Sequence, residues 1–440
     1  MAKGFSPYPD LAAKKPQPES VPATQLRPRL KPARVVYVVS DLSVGGAEMM
    51  LYRLLAETDR ARFDPAVVTL TEGGALRARV EALGVEVHTL GVSPNWPTPL
   101  DLSRLVRLAR RLRPDLFVGW MYHGCLAAQL TAFFLPRPTP VLWSIHYSVS
   151  SLAGEKRLTA ATVRVCALLS AMPARIVFVS RDGQSKHGPL GFKTANSCVV
   201  PNGIDTNTFA PSREARASVR AELGLPGDAF VLGTVGRFHP AKDHANFLRA
   251  AALLSAKHPE THFLLAGRGV DGDNLELRRL VEELGLARRT HTLGERHDIP
   301  RLTAALDIFS LSSDCESFPT VVGEAMACGV PCAVTDVGDA ALIVGDTGRV
   351  VPPRDARALA GAWSALIDLG DEGRAALGRA AAARVREHFP VGSMARSYES
   401  LYETALDERT PAARRTQRID AARAFEYRMA DPPQPDFHGD

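Results

Sequence analysis

What limits the fold most is a repeating unit: a short, nearly continuous apolar run, then a loop, then a segment with helical spacing. Val35-Val36-Tyr37-Val38-Val39 is the first run, followed by a loop from Ser40 to Gly46 and helical spacing from Ala47 to Glu57. Apolar runs of this type suit strands that helices cover on both faces. The unit recurs as strand 66–70 with helix 75–83, strand 85–90 with helix 101–112, and strand 116–120. Strand 140–145, helix 155–170 and strands 175–179 and 197–200 follow. A second cycle begins at Phe230, with strand 230–235, helix 243–256, strand 261–266, helix 274–284 and a short strand near 290–293. Helix 298–305, strand 307–311, helix 319–328, strand 331–334 and helix 355–369 complete it. Such alternation predicts an α/β protein with parallel, doubly wound sheets, and two cycles predict two domains. A chain of 440 residues is long enough for two full cores.

The remaining segments set the boundaries. Residues 1–33 hold seven prolines, scattered Lys and Arg and no apolar core, so they read as a disordered tail and not as a signal peptide. The predicted domains are 34–205 and 206–390, and residues 206–228, rich in turn formers and charge, read as a linker. A helical run at 392–405 falls in a segment 391–408, and 409–440 read as a frayed tail. Leu116 to Leu135 carries no formal charge over twenty positions, but Gly119, His123, Gly124 and Gln129 interrupt it. It reads as a strand (116–120), a turn at Tyr122-His123-Gly124 and a core helix (125–135), not a membrane span. Six scattered cysteines without a Cys-x-x-Cys pair fit reduced thiols in a cytoplasmic protein. A net charge of +5 is small for this length, and no nucleic-acid-binding motif is present.

The stretch with the most chemistry is Glu316-Ser-Phe-Pro-Thr-Val-Val-Gly-Glu-Ala-Met-Ala-Cys-Gly329. An apolar strand precedes it, Pro319 suits a first helical position, and Gly329 suits a left-handed stop. Strand, short acidic loop and helix leave free amide N–H groups and a positive dipole end at one place. Glu316 and Glu324 bracket that helix start, displaced by roughly 7 Å along the axis at 1.5 Å per residue. Residue type alone leaves two readings open, a pair that holds the two ends of a longer ligand, or a capping acid together with a solvated helical Glu.

The spacing Glu-x7-Glu within ESFPTVVGEAMACGVP resembles the signature of retaining, nucleotide-sugar-dependent glycosyltransferases of the two-domain GT-B architecture, the large family often numbered four. The resemblance covers roughly residues 35 to 405, with further motifs in the family's order. It implies two Rossmann-like domains facing each other across a cleft, with the last helix returning to the first domain. It implies that Glu316 contacts the donor sugar, that Glu324 holds the ribose hydroxyls, and that Phe318, Pro319, Thr320 and Val321 line the donor site. Gly45 and Gly46, in Gly45-Gly46-Ala47-Glu48 after the first strand, match a family pattern; by themselves they are equally a tight turn. His146, at the end of Trp143-Ser144-Ile145-His146-Tyr147, matches a histidine that reaches the donor sugar; Tyr147 stands where the family more often has an acid. Asn202, in Pro201-Asn202-Gly203, faces the cleft by the same comparison, although Asn-Gly is also a good turn. Arg237 and Lys242, in Gly236-Arg-Phe-His-Pro-Ala-Lys-Asp243, match the pair that holds the donor diphosphate, with Asp243 where the family more often has glycine.

The expected substrate set is a nucleoside-diphosphate sugar and a glycan or lipid-linked acceptor, with no resident cofactor and no metal. A non-catalytic nucleotide-sugar-binding subunit is the rival reading. Gly267-Arg-Gly-Val-Asp-Gly272 satisfies a dinucleotide fingerprint but follows the second strand of its half, and Asp271-Gly-Asp273 is a short acidic loop. Asp101 to Arg113 reads as an amphipathic helix with its apolar positions at 102, 105, 106, 109 and 112 and Arg104, Arg107 and Arg111 on another side. That face is either a solvated surface or a peripheral contact at the inner face of a membrane.

Overall fold

The structure is a computed structural model that describes residues 31–93, 98–149 and 152–408. Nearly all of segment 1–33 and all of 409–440 lie outside the described residues. In the first half, seven strands form one sheet: β1 (Ala33–Val39), β2 (Phe63–Thr69), β3 (Glu86–Thr89), β4 (Leu116–Trp120), β5 (Val141–Ile145), β6 (Arg175–Phe178) and β7 (Ser197–Val199). They lie in the order β3-β2-β1-β4-β5-β6-β7, every pairing parallel. Helices α1 (Gly46–Glu57), α2 (Arg77–Ala82), α3 (Pro99–Leu112), α4 (Met121–Phe133), α5 (Arg157–Leu169) and α6 (Arg181–His187) connect them.

The second half repeats the plan with six strands, β8 (Val231–Val235), β9 (His262–Ala266), β10 (Thr290–Thr292), β11 (Ile308–Leu311), β12 (Cys332–Thr335) and β13 (Gly348–Val351). Their order, β10-β9-β8-β11-β12-β13, is again all parallel. The helices are α7 (Arg213–Glu222), α8 (His244–Ser255), α9 (Leu275–Glu283), α10 (Ile299–Ala304), α11 (Thr320–Ala327), α12 (Ala340–Val344), α13 (Ala356–Ile367), α14 (Gly370–His388) and α15 (Val391–Asp407). Each sheet reverses its winding beside its first strand, β1/β4 in one half and β8/β11 in the other. Loops at the carboxyl ends of those strands are where such sheets bind ligands.

Several elements differ from the expectation. The predicted turn at Tyr122 to Gly124 is the first turn of α4, which starts at Met121 with no loop. Met121 takes the left-handed φ of 59° that makes this junction possible. Gly119 and Gly124 carry the close approach, since a Cβ at Gly124 would meet the Val38 carbonyl oxygen at 2.1 Å. The expected linker 206–228 contains α7, capped by the Ser212 side chain and tied to the second half by Arg216 and Arg220 on Asp307 at 2.6 and 2.9 Å. The short helix α12 with strand β13, and the nineteen-residue α14, were not anticipated. The last helix does not differ: α15 leaves the second half and packs Met394, Ala395, Tyr398, Tyr402, Ala405 and Leu406 into the first half's core beside β1 and β4.

Candidate active site

The second half supplies the densest part of the site. After β8 the chain runs through Gly236 to Asp243, and the Lys242 alkyl chain lies over Gly236, where a Cβ would stand 3.5 Å from Lys242 Cδ. Lys242 Nζ donates to Glu316 Oε1 at 2.5 Å, and Ser313 Oγ donates to the same oxygen at 2.7 Å. The two loops are locked together, because the amides of Asp314 and Cys315 both reach the Ala241 carbonyl oxygen, at 2.9 and 3.3 Å. Arg237 is exposed and makes no hydrogen bond or ion pair among the described residues. So the two cations differ: one is already seated on the signature carboxylate, and the other stands free.

Asp243 resolves the departure noted in the sequence. It adopts φ 45°, a left-handed conformation that suits glycine, and its Oδ1 accepts from the Asn246 amide at 3.0 Å as the cap of α8. The cap offsets the backbone cost. The glycine-rich 267–272 segment also has a local reason. A Cβ on Gly267 would come within 2.2 Å of the Gly236 carbonyl oxygen, so these glycines let two loops touch. Asp271 closes a turn onto the Asp273 amide at 3.1 Å.

Helix α11 starts at Thr320, with Pro319 as its cap residue and Gly329 at φ 74° after its end. Thr320 and Val321 are half-buried at its start, where amide groups are free for an anion. Phe318 and Pro319 sit otherwise than expected of ligand-contacting side chains. Both are buried, and the Phe318 ring packs edge-on to Phe389 at 5.6 Å in the core. Glu324 is 7% exposed and pairs with Arg53 of α1, Nη2 to Oε1, at 2.7 Å. Beneath the signature loop lies Gly338, at φ 56°, where a Cβ would meet the Ser317 and Glu316 carbonyl oxygens at 2.4 and 2.7 Å.

Opposite stands the first half. His146 follows β5 directly, with Trp120 at 4.3 Å between ring centroids. Its Nε2 lies 2.8 Å from Ser144 Oγ, which lies 2.6 Å from the Tyr398 hydroxyl of α15. Either hydroxyl of the Tyr398–Ser144 pair can donate to the other, and Nε2 accepts from Ser144 or donates to it according to the tautomer. Nδ1 and Asn202 Oδ1 are both buried without a hydrogen-bond partner among the described residues. Burial drives the His146 pKa down to about 3, with the Asn202 side chain offsetting part of the shift, so the ring is neutral at ordinary pH. Gly45 caps α1 and Gly46 begins it with open space where a Cβ would stand. The helix start is not vacant, however. Glu48 folds back over Gly45, with its Oε2 2.3 Å from where a Cβ there would stand. Burial raises the Glu48 carboxyl above its usual range, opposed by its own backbone amide and by Arg237 across the cleft.

The halves touch directly at this place. The Ser180 and Ser317 hydroxyls are 2.7 Å apart, and Asp339 accepts from the Arg181 and Asp182 amides at 2.9 and 3.1 Å. The structure therefore brings Glu316, Lys242, Arg237 and the α11 start together on one wall, with His146 and Asn202 on the facing half. Sequence reasoning missed Arg53, Ser144, Ser313, Gly338, Asp339 and Tyr398. Only Gly338 carried a local signal, as a glycine shortly after a strand.

Comparison with known proteins agrees with this architecture. The Glycosyltransferase Family 4 model matches residues 44–208, and the Glycosyl transferases group 1 model matches residues 215–384. The chain belongs to the group 1 glycosyltransferases. EpsF of Bacillus subtilis (strain 168) is 28% identical over 321 residues, which is 69% of this chain and 79% of that protein. The D-inositol 3-phosphate glycosyltransferase of Corynebacterium jeikeium (strain K411) is 33% identical over 268 residues, or 58% of this chain; the chain spans 62% of that relative's length. The crystal structure of Anabaena Alr3699/HepE in complex with UDP superposes with a TM-score of 0.74 at 23% identity, covering 84% of this chain and all of that one. This group 1 chain thus has the GT-B fold, two Rossmann-like domains around one cleft.

Proposed function

We propose that the chain is a retaining, metal-independent glycosyltransferase that moves a sugar from a nucleoside diphosphate to an acceptor hydroxyl. The observation that carries this reading is the Lys242–Glu316 pair beside the free Arg237 and the α11 start. Two cations and a helix start suit the charge that a departing diphosphate develops, and a carboxylate among them suits the hydroxyls of a sugar. In the reaction the bond from the anomeric carbon to the phosphate oxygen breaks and a bond from that carbon to the acceptor oxygen forms on the same face. Arg237, Lys242 and the amides of Thr320 and Val321 stabilise the departing diphosphate. One of its phosphate oxygens takes the acceptor proton. Glu316 orients the sugar hydroxyls, Glu324 the ribose, and the neutral His146 contacts the sugar from the facing half. That the related fold of HepE is known with UDP and with UDP-glucose supports a donor of this class.

The acceptor side is read as a glycan or lipid-linked precursor. Among the described residues no helix is long and apolar enough to cross a membrane. We read the protein as cytoplasmic and peripheral at the inner membrane face. Arg104, Arg107 and Arg111 are exposed on α3, and Arg110 reaches the carbonyl oxygen of Phe134, which with Phe133 is exposed at the end of α4. Cations beside exposed aromatic rings fit an anionic lipid surface.

The test is a thermal-shift panel of nucleotide sugars, followed by turnover of the best binder with EDTA present. A ligand at a hundred times its Kd stabilises by about 2.7 kcal/mol. Turnover that persists in EDTA supports the reading. Binding without turnover would make the chain a regulatory nucleotide-sugar binder, and strict dependence on inorganic phosphate would make it a phosphorylase.

A further inference from the structure

One cation in the cleft has no part in the reaction as written. Arg53 lies on α1 of the first half, 271 residues from Glu324 in sequence, yet its Nη2 donates to Glu324 Oε1 at 2.7 Å. Its Nη1 reaches the Gly203 carbonyl oxygen at 3.4 Å, and its guanidinium carbon stands 5.8 Å from the Phe209 ring centroid. The Arg53 and Glu324 side chains are only 12% and 10% exposed. Gly203 and Phe209 belong to the segment that joins the halves. The neighbouring Gly323 comes so close to Ile204 that a Cβ there would lie 2.8 Å from its Cδ1. Hence α1, the joining segment and α11 share one tight junction, with a charge pair at its centre.

The pair has a direction. Arg53 engages Oε1 only, and Oε2 of Glu324 makes no hydrogen bond among the described residues. A planar guanidinium bridging a carboxylate and a carbonyl fixes the carboxylate's rotamer, which the point charge of a lysine does not. We propose that Arg53 is a positioning residue for the donor. It presents the Oε2 edge of Glu324 to the ribose diol of a nucleoside diphosphate, and it makes ribose capture depend on the docking of the two halves. The proposal rests on the reading of Glu324 as the ribose acceptor.

The test is calorimetric binding of two probes, inorganic pyrophosphate and the tightest of UDP, GDP and ADP. The proteins are the wild type, Arg53→Gln, Arg53→Lys, Glu324→Gln and the double variant Arg53→Gln/Glu324→Gln. Arg53→Gln should weaken the nucleoside diphosphate about tenfold or more, the effect of one charge-assisted hydrogen bond, and leave pyrophosphate unchanged. Arg53→Lys should fall between, and in steady state Arg53→Gln should raise the donor KM with little change in kcat. The double variant strands no buried carboxylate, and because Arg53 acts only through Glu324 it should bind both probes as Glu324→Gln does, a check that holds even where Arg53→Gln folds poorly; a further ribose-selective loss in the double variant overturns the proposal. Wild-type affinity in Arg53→Gln, or equal weakening of both probes, overturns the proposal. If Glu324→Gln binds the nucleoside diphosphate like the wild type, the ribose reading of Glu324 falls with it. If Glu324→Gln loses selectively and Arg53→Gln does not, only the role of Arg53 falls.

Discussion

Lys242 and Glu316 should fail together. Their contact is 2.5 Å, their side chains are 27% and 12% exposed, and Ser313 holds the same carboxylate oxygen. A charge-assisted hydrogen bond contributes about 1.5–3 kcal/mol, or about 10- to 150-fold in rate at 1.4 kcal/mol per decade. On the proposed reading, Lys242→Ala removes such a bond to the diphosphate and also releases Glu316 from its seat. Glu316→Gln removes the carboxylate and releases Lys242. Each single change should therefore slow transfer by at least about tenfold, and the double variant should lie within a few-fold of the worse single. The coupling energy expected of contacting residues is about 0.5–3 kcal/mol. Arg237→Ala is the control: this exposed cation shares no partner with Glu316, so its effect should add to that of Glu316→Gln within about 0.5 kcal/mol. The assay is the initial rate of nucleoside diphosphate release with the donor selected by thermal shift, on variants whose melting midpoints match the wild type. Full additivity of Lys242→Ala with Glu316→Gln would refute the idea that the pair works as one unit.

The two signature glutamates should separate kinetically, with Glu324→Gln raising the donor KM and Glu316→Gln lowering kcat; the same pure binding defect in both would reject the division. Acid should destabilise the fold, because burial lowers the His146 and His244 pKa values to about 3 and about 4. Their stabilising effect is complete above the unfolded value near 6.5 and is lost as pH falls toward the folded values. The melting midpoint should drop between pH 6.5 and 4.5, and His244→Asn should shrink that drop; a flat profile would contradict the buried, neutral rings. Gly338→Ala should displace the signature loop, seen as lost donor binding and a lower melting midpoint, since a side chain there meets the Glu316 and Ser317 carbonyls at φ 56°. Cosedimentation with anionic but not neutral liposomes, reversed by salt and by changing Arg104, Arg107 and Arg111 to Glu, tests the α3 surface; equal recovery in the supernatant with both would leave a solvated helix.

The alternation of buried runs and helices was legible because strands covered on both faces leave a continuous apolar trace, as Val35 to Val39 does. The helices that escaped notice leave none. In α7 only Val219 and Arg220 are buried, and the helix is held by arginines on Asp307, a residue far along the chain. In α14 the contact face is Gly378, Ala381, Ala382 and Val385. Small residues serve there because Gly378 lies against the Gly329 carbonyl oxygen, where a Cβ would stand at 1.9 Å. The motifs singled out Glu316, Lys242 and His146 but not what holds them. Ser144 and Tyr398 are 254 residues apart, and Arg53 and Glu324 are 271 apart. No local spacing encodes such pairs; they exist only once two halves and a returning helix have met. Phe318 shows the converse, a residue inside a matching motif whose ring serves the core.

That returning helix has a consequence for how the protein is made. The aromatic cluster of the first half, Tyr37, Phe63 and Trp120, is completed by Tyr398 and Tyr402, and the Tyr37 and Tyr402 hydroxyls meet at 2.8 Å. During synthesis the first half emerges with that cluster open, and it stays open until the whole second half and α15 have been translated. The nascent chain must therefore carry an unsealed apolar seam for most of its time on the ribosome. A gene cut after residue 205 would yield that seam permanently, whereas supplying α15 in trans, or fusing it behind β7, would close it.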